Sequence, residues 1–422
     1  MNKFLYIFVF LLMIKVSVGQ IGNNNPYYPK EIAQPNDWKF QISAFARQDA
    51  NSNTLTNEFF NEINKSGYIS SDLMDKQMEN ISGKILSGQI TSIGLNALIN
   101  AKKTEGKRYY ILGFEHQHYL DSYIDEDLAK MLMQGNKPFA GQTIQIPDSR
   151  YYNNYFNQLK AGVGFRMKNG EAVQHFAFTV DFNAGQNYDY IEVNNSSIYT
   201  DPEGDYIDIA VNANTKVSDT VWAEVYQVNG LGFSTNLEYS FSKTNNFHFD
   251  VNLKNLGFIN WNGNTFRGSI DTSFRFEGFT MDTTSGEGEL PNDYSYNSLR
   301  NFIFQNPESG SFTDVLPLSL RMSGGKYFLN GKFYAGLSGT YYPTLSASYS
   351  VELFGTWNHK DVFYMTPIVR YSNYKQVNLG LGVGVKIIDK IHIYAGSAYL
   401  NSFFDKDANL GTGGFIRLTF IN

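Results

Sequence analysis

Gln376-Val-Asn-Leu-Gly-Leu-Gly-Val-Gly-Val-Lys-Ile387 is the stretch that decides the fold. Val377, Leu379, Leu381, Val383, Val385 and Ile387 alternate with Asn378, Gly380, Gly382, Gly384 and Lys386. A strict period of two places one set on each face of a strand, so one face meets an apolar medium and the other a polar one. Asp389 and Lys390 then make a short turn, and Ile391 to Leu400 reads as the next strand. The sequence closes inside a last strand, Gly414-Phe-Ile-Arg-Leu-Thr-Phe-Ile-Asn422. Strand, tight turn and final strand are the expected ending of a closed antiparallel membrane barrel.

Working back from this stretch, regular alternation continues through 361–371, 346–357, 328–341 and 314–323. A long polar insertion lies near 280–311. Before it, 264–277, 246–258 and 228–242 read as strands, with Asn260-Trp-Asn-Gly263 as a tight turn. Strands are also expected at 172–183, 157–168, 107–119, 89–101 and 38–46, and more weakly at 187–198 and 205–214. Three stretches change to helical spacing: 56–66 (Phe59, Phe60, Ile63), 70–82 (Leu73, Met74, Met78) and 125–134 (Leu128, Met131, Leu132). The raw count is about seventeen strands, whereas a bacterial single-chain barrel has an even number. The expected fold is therefore an all-β, closed antiparallel outer-membrane β-barrel of about 14, or about 16, strands with short helical insertions. The weak pair at 187–214 is read as a hairpin extending past the membrane.

Composition agrees. With 422 residues there is enough chain for that many spans, at roughly 10 residues each. Phe (34) and Tyr (29) are abundant and Pro (11) is scarce, as interfacial aromatic girdles require. A mean hydropathy of −0.32 does not argue for a soluble protein, because barrel strands hide apolarity in alternation. Residues 1–19 carry a charged start (Lys3), an apolar centre and small residues ending in Gly19, so cleavage of a secretory leader is expected after Gly19. Residues 20–37 are turn-rich and lack periodicity, and are read as a plug-like segment. The absence of cysteine excludes thiol catalysis, disulfides and a lipidated cysteine anchor. A net charge of −6 with no basic run gives no reason to expect nucleic acid.

On the clear strands the apolar set should face lipid and the polar set the lumen. The lumen-lining set then includes Lys254, Arg267, Asp271, Arg275, Glu277, Arg321, Glu352 and Lys386. Its mixed signs suit mutual pairing, the condition under which buried charge is tolerated. Gly380, Gly382 and Gly384 leave one wall bare, where a plug segment could approach closely. No serine-hydrolase elbow, zinc-protease helix, phosphate loop or dinucleotide fingerprint is present, so no catalytic residue and no cofactor is expected. His116 and His118 share a strand face near Glu115 and Asp121, but a polar surface is the plainer reading than a metal site. Asp405, Asp407 and Asn409 have the acid spacing of a calcium loop without its later glutamate. A solvated loop between the last two strands is the expected reading.

Four short motifs carry a resemblance: Asn25-Pro26, Asp127-Leu-Ala-Lys-Met-Leu-Met-Gln-Gly-Asn136, Leu256-Gly-Phe-Ile-Asn-Trp261 and Ser273-Phe-Arg-Phe-Glu-Gly278. Together they resemble an uncharacterised family of outer-membrane barrels from Bacteroidota-type, Gram-negative bacteria. That family is in turn similar to the long-chain fatty-acid transporter group, whose N-terminal hatch carries Asn-Pro-Ala; here Tyr27 follows Asn25-Pro26. The resemblance implies a passive, porin-like channel or transporter for a small hydrophobic molecule, with Asn25 and Pro26 in the plug. The alternative it leaves open is a structural or secretion-linked barrel that binds protein partners and transports nothing. Expected partners are outer-membrane lipid, the barrel-assembly machinery, and either a hydrophobic small molecule or a secretion-system protein.

Overall fold

The computed structural model describes residues 38–64, 69–101, 107–218, 227–243, 246–263, 265–277, 308–346, 348–405, 407 and 409–422. The expected leader (1–19), the plug-like segment (20–37) with Asn25 and Pro26, and most of the 280–311 insertion lie outside the described residues.

The described strands form one antiparallel sheet of 18 strands. The sheet closes through 14 of them. In order around the ring these are β1 (Phe40–Thr56), β2 (Ile85–Asn100), β3 (Arg108–Ile124), β4 (Thr143–Asn169) and β5 (Ala172–Thr200). There follow β7 (Gly230–Lys243), β8 (Phe247–Trp261), β12 (Ser319–Phe328), β13 (Phe333–Tyr342), β14 (Ser348–His359), β15 (Phe363–Ser372), β16 (Gln376–Ile388), β17 (Ile391–Ser397) and β18 (Asn409–Ile421). β18 pairs back onto β1, from Gln41↔Ile421 to Asn51↔Gly411, and this pairing closes the barrel. Closure removes the free edge, the one arrangement in which strands satisfy every backbone group in lipid.

The other strands stand above the ring. β5 is 29 residues long. Its lower part pairs with β7 and its upper part with β6 (Ile207–Ser218). β6 pairs with β9 (Thr265–Phe276), which therefore runs on in the direction of β8. The expected tight turn at 260–263 is thus a break within one rising strand. The 264–277 stretch is not a wall of the membrane ring. The weak pair at 187–214 is, as read, a hairpin beyond the ring. With the upper part of β4, these strands make a four-stranded wall. Short β10 (Glu308–Ser309) and β11 (Phe312–Val315) lie along β9 and β8.

Both ends of the ladder, near Gln41 and Ile421, lie at one rim. The connections at that rim are short, for example 170–171 and 389–390. The opposite rim carries the helices, α1 (Asn57–Asn64), α2 (Ser71–Glu79) and α3 (Glu126–Gln134), and the four-stranded wall. Short turns are periplasmic and long connections extracellular in outer-membrane barrels, which places the helices and the wall outside the cell.

Each helix begins where a side chain can accept an orphan backbone N–H. Thr56 Oγ1 accepts from Phe59 N at 3.2 Å, Ser70 Oγ from Leu73 N at 3.3 Å and Asp125 Oδ1 from Asp127 N at 3.0 Å. Gly135, at φ 77°, supplies the left-handed residue that ends α3.

Candidate functional site

The outer face of the ring is apolar. On β16, Val377, Leu379 and Val385 are exposed, while Asn378, Gly380, Gly382 and Gly384 face inward and are buried. The same division holds on neighbouring strands, where Leu337, Leu353, Val369 and Leu418 point out. An exposed apolar band around a closed ring is lipid-facing: the chain is an outer-membrane β-barrel. The space left by the three glycines is taken by other barrel side chains and strand backbone. A Cβ on Gly382 would meet Tyr394 Oη at 2.2 Å, and one on Gly384 would meet the rings of Tyr394 and Tyr364. On Gly380 it would meet the backbone of Ser397 and Ala398. The expectation that this bare wall receives a plug is corrected accordingly.

Inside, two walls are tied directly to each other. Glu115 on β3, fully buried, accepts hydrogen bonds from Lys160 on β4 and Ser92 on β2. Across the lumen, Lys254 Nζ on β8 donates to Glu115 Oε1 at 3.2 Å. The next residue, Asn255, sits at a bulge where β7 and β8 shift register, with φ 63°. Asparagine tolerates that left-handed conformation, and it turns the side chain into the lumen. Its Nδ2 donates to Gln117 Oε1 at 3.0 Å and to Pro317 O at 3.1 Å, and Gln158 Nε2 donates to its Oδ1 at 3.1 Å. One carboxylate shared by two ammonium groups and a serine hydroxyl, beside a network of paired amides, is an arrangement that makes buried charge tolerable.

Above this brace lies a buried aromatic cluster built around Tyr119, Phe156, Tyr188, Trp261, Phe312 and Tyr342. Its Tyr188 also borders a cleft of about 700 Å³ on the side of the four-stranded wall. Tyr152, Tyr188 and Tyr190 line one side, and Arg150, Glu192, Lys216, Arg267 and Asp314 are spaced around it. Several of these charges are already engaged. Arg150 bonds to Asp121 at 3.0 Å, Lys216 Nζ lies 3.5 Å from Asp314, and Tyr188 Oη donates to the same Asp314. A volume of this size, with three tyrosines on one side and fixed charged groups around it, is large enough for a small molecule.

The sequence-selected residues separate into three places. Lys254, Arg321 and Glu352 point into the ring: Lys254 in the brace, Arg321 at 3.0 Å from Asp250, and Glu352 at 3.6 Å from Arg370. Arg267, Asp271 and Arg275 belong to β9 above the ring, with Glu277 just after it. Of these Arg267 lines the cleft, and Arg275 grips Asp208 through two contacts of 2.7 and 2.8 Å while covering the Tyr206 ring. This contact holds the Asp208 carboxyl below the usual carboxylate range. Lys386 pairs with Asp389 at the periplasmic turn, 3.0 Å away. Glu115 was noted only as a neighbour of His116 and His118, and Lys160, Asn255 and the cleft tyrosines were not singled out from sequence. Their partners are far apart along the chain, and only the missed beat between Leu253 and Leu256 hinted at the bulge.

A family model described as a family of unknown function, DUF5723, matches residues 33–398. The chain belongs to this family. No curated protein matches it. Among solved structures, this DUF5723 barrel is similar to the TodX deltaS2S3 mutant monoaromatic hydrocarbon channel, at 8% identity and TM-score 0.44, over 97% of this chain and 98% of that one. It is also similar to a Pseudomonas aeruginosa FadL homologue, at 9% identity and TM-score 0.41, over 97% and 95% of the two chains. The Pseudomonas putida toluene transporter TodX matches at 8% identity and TM-score 0.39, over 96% and 94%.

At the mouth of the DUF5723 barrel the helices are fastened down. Gln77 of α2, fully buried, donates to Thr54 O at 3.1 Å and accepts from Thr56 N at 3.0 Å. Met78, Ile81, Ala129 and Met133 share one small core, while Leu132, read as part of the apolar face of α3, remains 68% exposed. The loop with calcium-like acid spacing faces a cation: Lys76 Nζ lies 2.5 Å from Asp407 Oδ1. The side chain of Asn409 lies outside the described residues. His116 and His118 point outward on β3, bonded to Asn157 and Asn153 at 2.9 Å each. Among the described residues no group of His, Asp and Glu is placed to hold a metal ion.

Proposed function

We propose that this outer-membrane barrel is a passive channel for a small molecule with a largely apolar body, which enters from outside through the tyrosine-lined cleft. The observation that supports the reading is the cleft itself: about 700 Å³, with three tyrosines on one side, at the extracellular mouth. Tyrosine combines apolar area with a polar tip, so such a surface holds an apolar body while leaving hydrogen bonds available. In this reading residues 20–37, with Asn25 and Pro26, act as the plug, and the barrel-assembly machinery and outer-membrane lipid are the chain's constitutive partners. The experiment is uptake of N-phenyl-1-naphthylamine into vesicles carrying the mature chain. Gly268 lines the cleft and a Cβ there meets nothing within 4 Å, so Gly268→Trp projects a bulky ring into the cleft without disturbing the wall. Uptake should fall at least five-fold. Unchanged uptake in Gly268→Trp would remove the cleft from the path.

A second reading, a barrel that holds a secretion-system protein and carries nothing, is favoured by one observation. The four-stranded wall rises well above the lipid-facing band, with the upper part of β4 alone adding about 46 Å of strand from Asn157 to Thr143. In that case uptake of the probe equals that of protein-free vesicles.

A further inference from the structure

The apolar band does not reach the same height all round the ring. On β16, lipid-facing side chains continue to Leu379 and Val377, nine and eleven residues above Ile388 at the periplasmic rim, and these remain 54% and 62% exposed. On β3 the outward set begins in the same way, with Tyr110, Leu112 and Phe114 exposed. His116 and His118, eight and ten residues above Arg108, then take the next two outward positions. A strand rises about 3.3 Å per residue, so ten residues tilted by about 40° climb about 25 Å, the height of a barrel's apolar band. Both histidines therefore stand in the upper part of that band, at the level of the outer leaflet.

The histidines belong to a polar cluster that spans three strands on the outer face. His116 Nδ1 bonds to Asn157 Oδ1 on β4, and His118 Nε2 to Asn153 Oδ1, each at 2.9 Å. His118 stacks on the Tyr155 ring at 3.8 Å between centroids. Asn153 Nδ2 donates to Asp189 Oδ2 on β5 at 2.9 Å and to Asn187 Oδ1 at 3.0 Å. His116, Tyr155, Asn157, Asn187 and Asp189 are half-buried, which leaves part of each side chain at the surface. One rung below His116, the register partners Phe114, Leu159 and Phe182 are exposed and apolar. The surface is thus polar above and apolar below, and it matches a molecule built the same way. Amides, imidazoles and a carboxylate offer hydroxyl groups both donors and acceptors. The cluster contains neither lysine nor arginine, the side chains that hold phosphate. Its chemistry fits a sugar headgroup better than a phosphate.

We propose that this cluster seats the sugar headgroup of an outer-leaflet glycolipid, whose acyl chains run down over Phe114, Leu159 and Phe182. The site is on the outside of the barrel and stands whether or not the barrel carries a cargo. The test uses the mature chain in nanodiscs of dioleoylphosphatidylcholine with a minor fraction of digalactosyldiacylglycerol, and native mass spectrometry of the lipids that stay on the released protein. The wild-type barrel should retain the glycolipid at least about five-fold above its share of the bilayer. His116→Leu combined with Asn157→Leu replaces both partners of one hydrogen bond by apolar groups, a change that is close to neutral for folding and extends the apolar face upwards. This double variant should keep heat-modifiable gel mobility and retain the glycolipid only in proportion to the bilayer. Retention in proportion by the wild type would overturn the site, and so would undiminished enrichment in the folded double variant. A parallel arm replaces the glycolipid with dioleoylphosphatidylglycerol. No enrichment is expected there, and enrichment equal to that of the glycolipid would overturn the assignment to a sugar.

Discussion

Replacing Glu115 by Ala tests whether the cross-lumen brace holds the barrel together. One buried carboxylate serves two ammonium groups: Lys160, 1% exposed, and Lys254, 11% exposed. Removing it leaves two buried cations facing each other without a counter-charge. Breaking a buried pair in this way costs about 3–5 kcal/mol, and here the like-charge contact places the loss towards the upper end. Domains are commonly stable by only about 5–15 kcal/mol, so the change should be plain. The assay is urea unfolding in lipid vesicles, followed by tryptophan fluorescence and by heat-modifiable mobility. Glu115→Gln, which keeps the shape and a hydrogen bond to Ser92 but removes the charge, should lose less than Glu115→Ala. Glu115→Ala combined with Lys160→Met and Lys254→Met should recover most of the loss, because apolar replacement of a whole buried ion group is close to neutral. A loss under about 1 kcal/mol for Glu115→Ala would show that water, not the brace, solvates these charges.

Other outcomes follow from the same coordinates. Leu379→Arg puts a charge on a lipid-facing site that is 54% exposed, and should cost up to about 2–4 kcal/mol depending on its depth in the bilayer. Gly382→Arg should impair assembly at least as strongly, because Tyr394 already fills that space; the ratio of folded to unfolded bands on an unheated gel reads both. Gln77→Ala orphans two backbone groups and should loosen the mouth helices by about 1–3 kcal/mol, seen as faster hydrogen exchange in 71–79. The lowered carboxyl of Asp208 contributes stability that is fully present above the ordinary carboxylate range and is lost as pH falls below about 4. Exchange in 207–212 should therefore rise on acidification in the native protein, and should not change over that window in Asp208→Asn.

The sequence reveals most where lipid imposes a period of two. From 346 onwards, where every strand has lipid on one face, the read spans match the ring strands closely; the span read at 314–323 instead straddles β11 and the first half of β12 (Ser319–Phe328). Legibility ends where the strands leave the membrane. β1 was read as 38–46 but runs to Thr56, and β4 was read from 157 but begins at Thr143. In both, the added residues stand at or above the lipid boundary, where nothing enforces an apolar face. The three helices were readable because helical spacing is local in sequence. The brace was not: Lys254 could be picked out as a lumen charge, but its pairing with Glu115 depends on the register of the strands between them. The cleft was hidden for a related reason, since Tyr152, Tyr188 and Asp314 meet only once β6 and β9 have turned away from the ring.

The central claim is closure of the ring through β1 and β18, and the cysteine-free chain allows it to be tested directly. Ala44 and Leu418 are register partners across that seam. The double variant Ala44→Cys and Leu418→Cys, oxidised in the membrane with copper phenanthroline, should form a disulfide nearly quantitatively, because paired residues lie within the 4.4–6.8 Å range a disulfide spans. The product should be a circularised chain that migrates faster than the reduced one on a denaturing gel. Failure of this pair to cross-link in protein that carries the heat-modifiable signature of a folded barrel, or equal cross-linking by a pair shifted one residue such as Ala44→Cys with Arg417→Cys, would contradict the closure described.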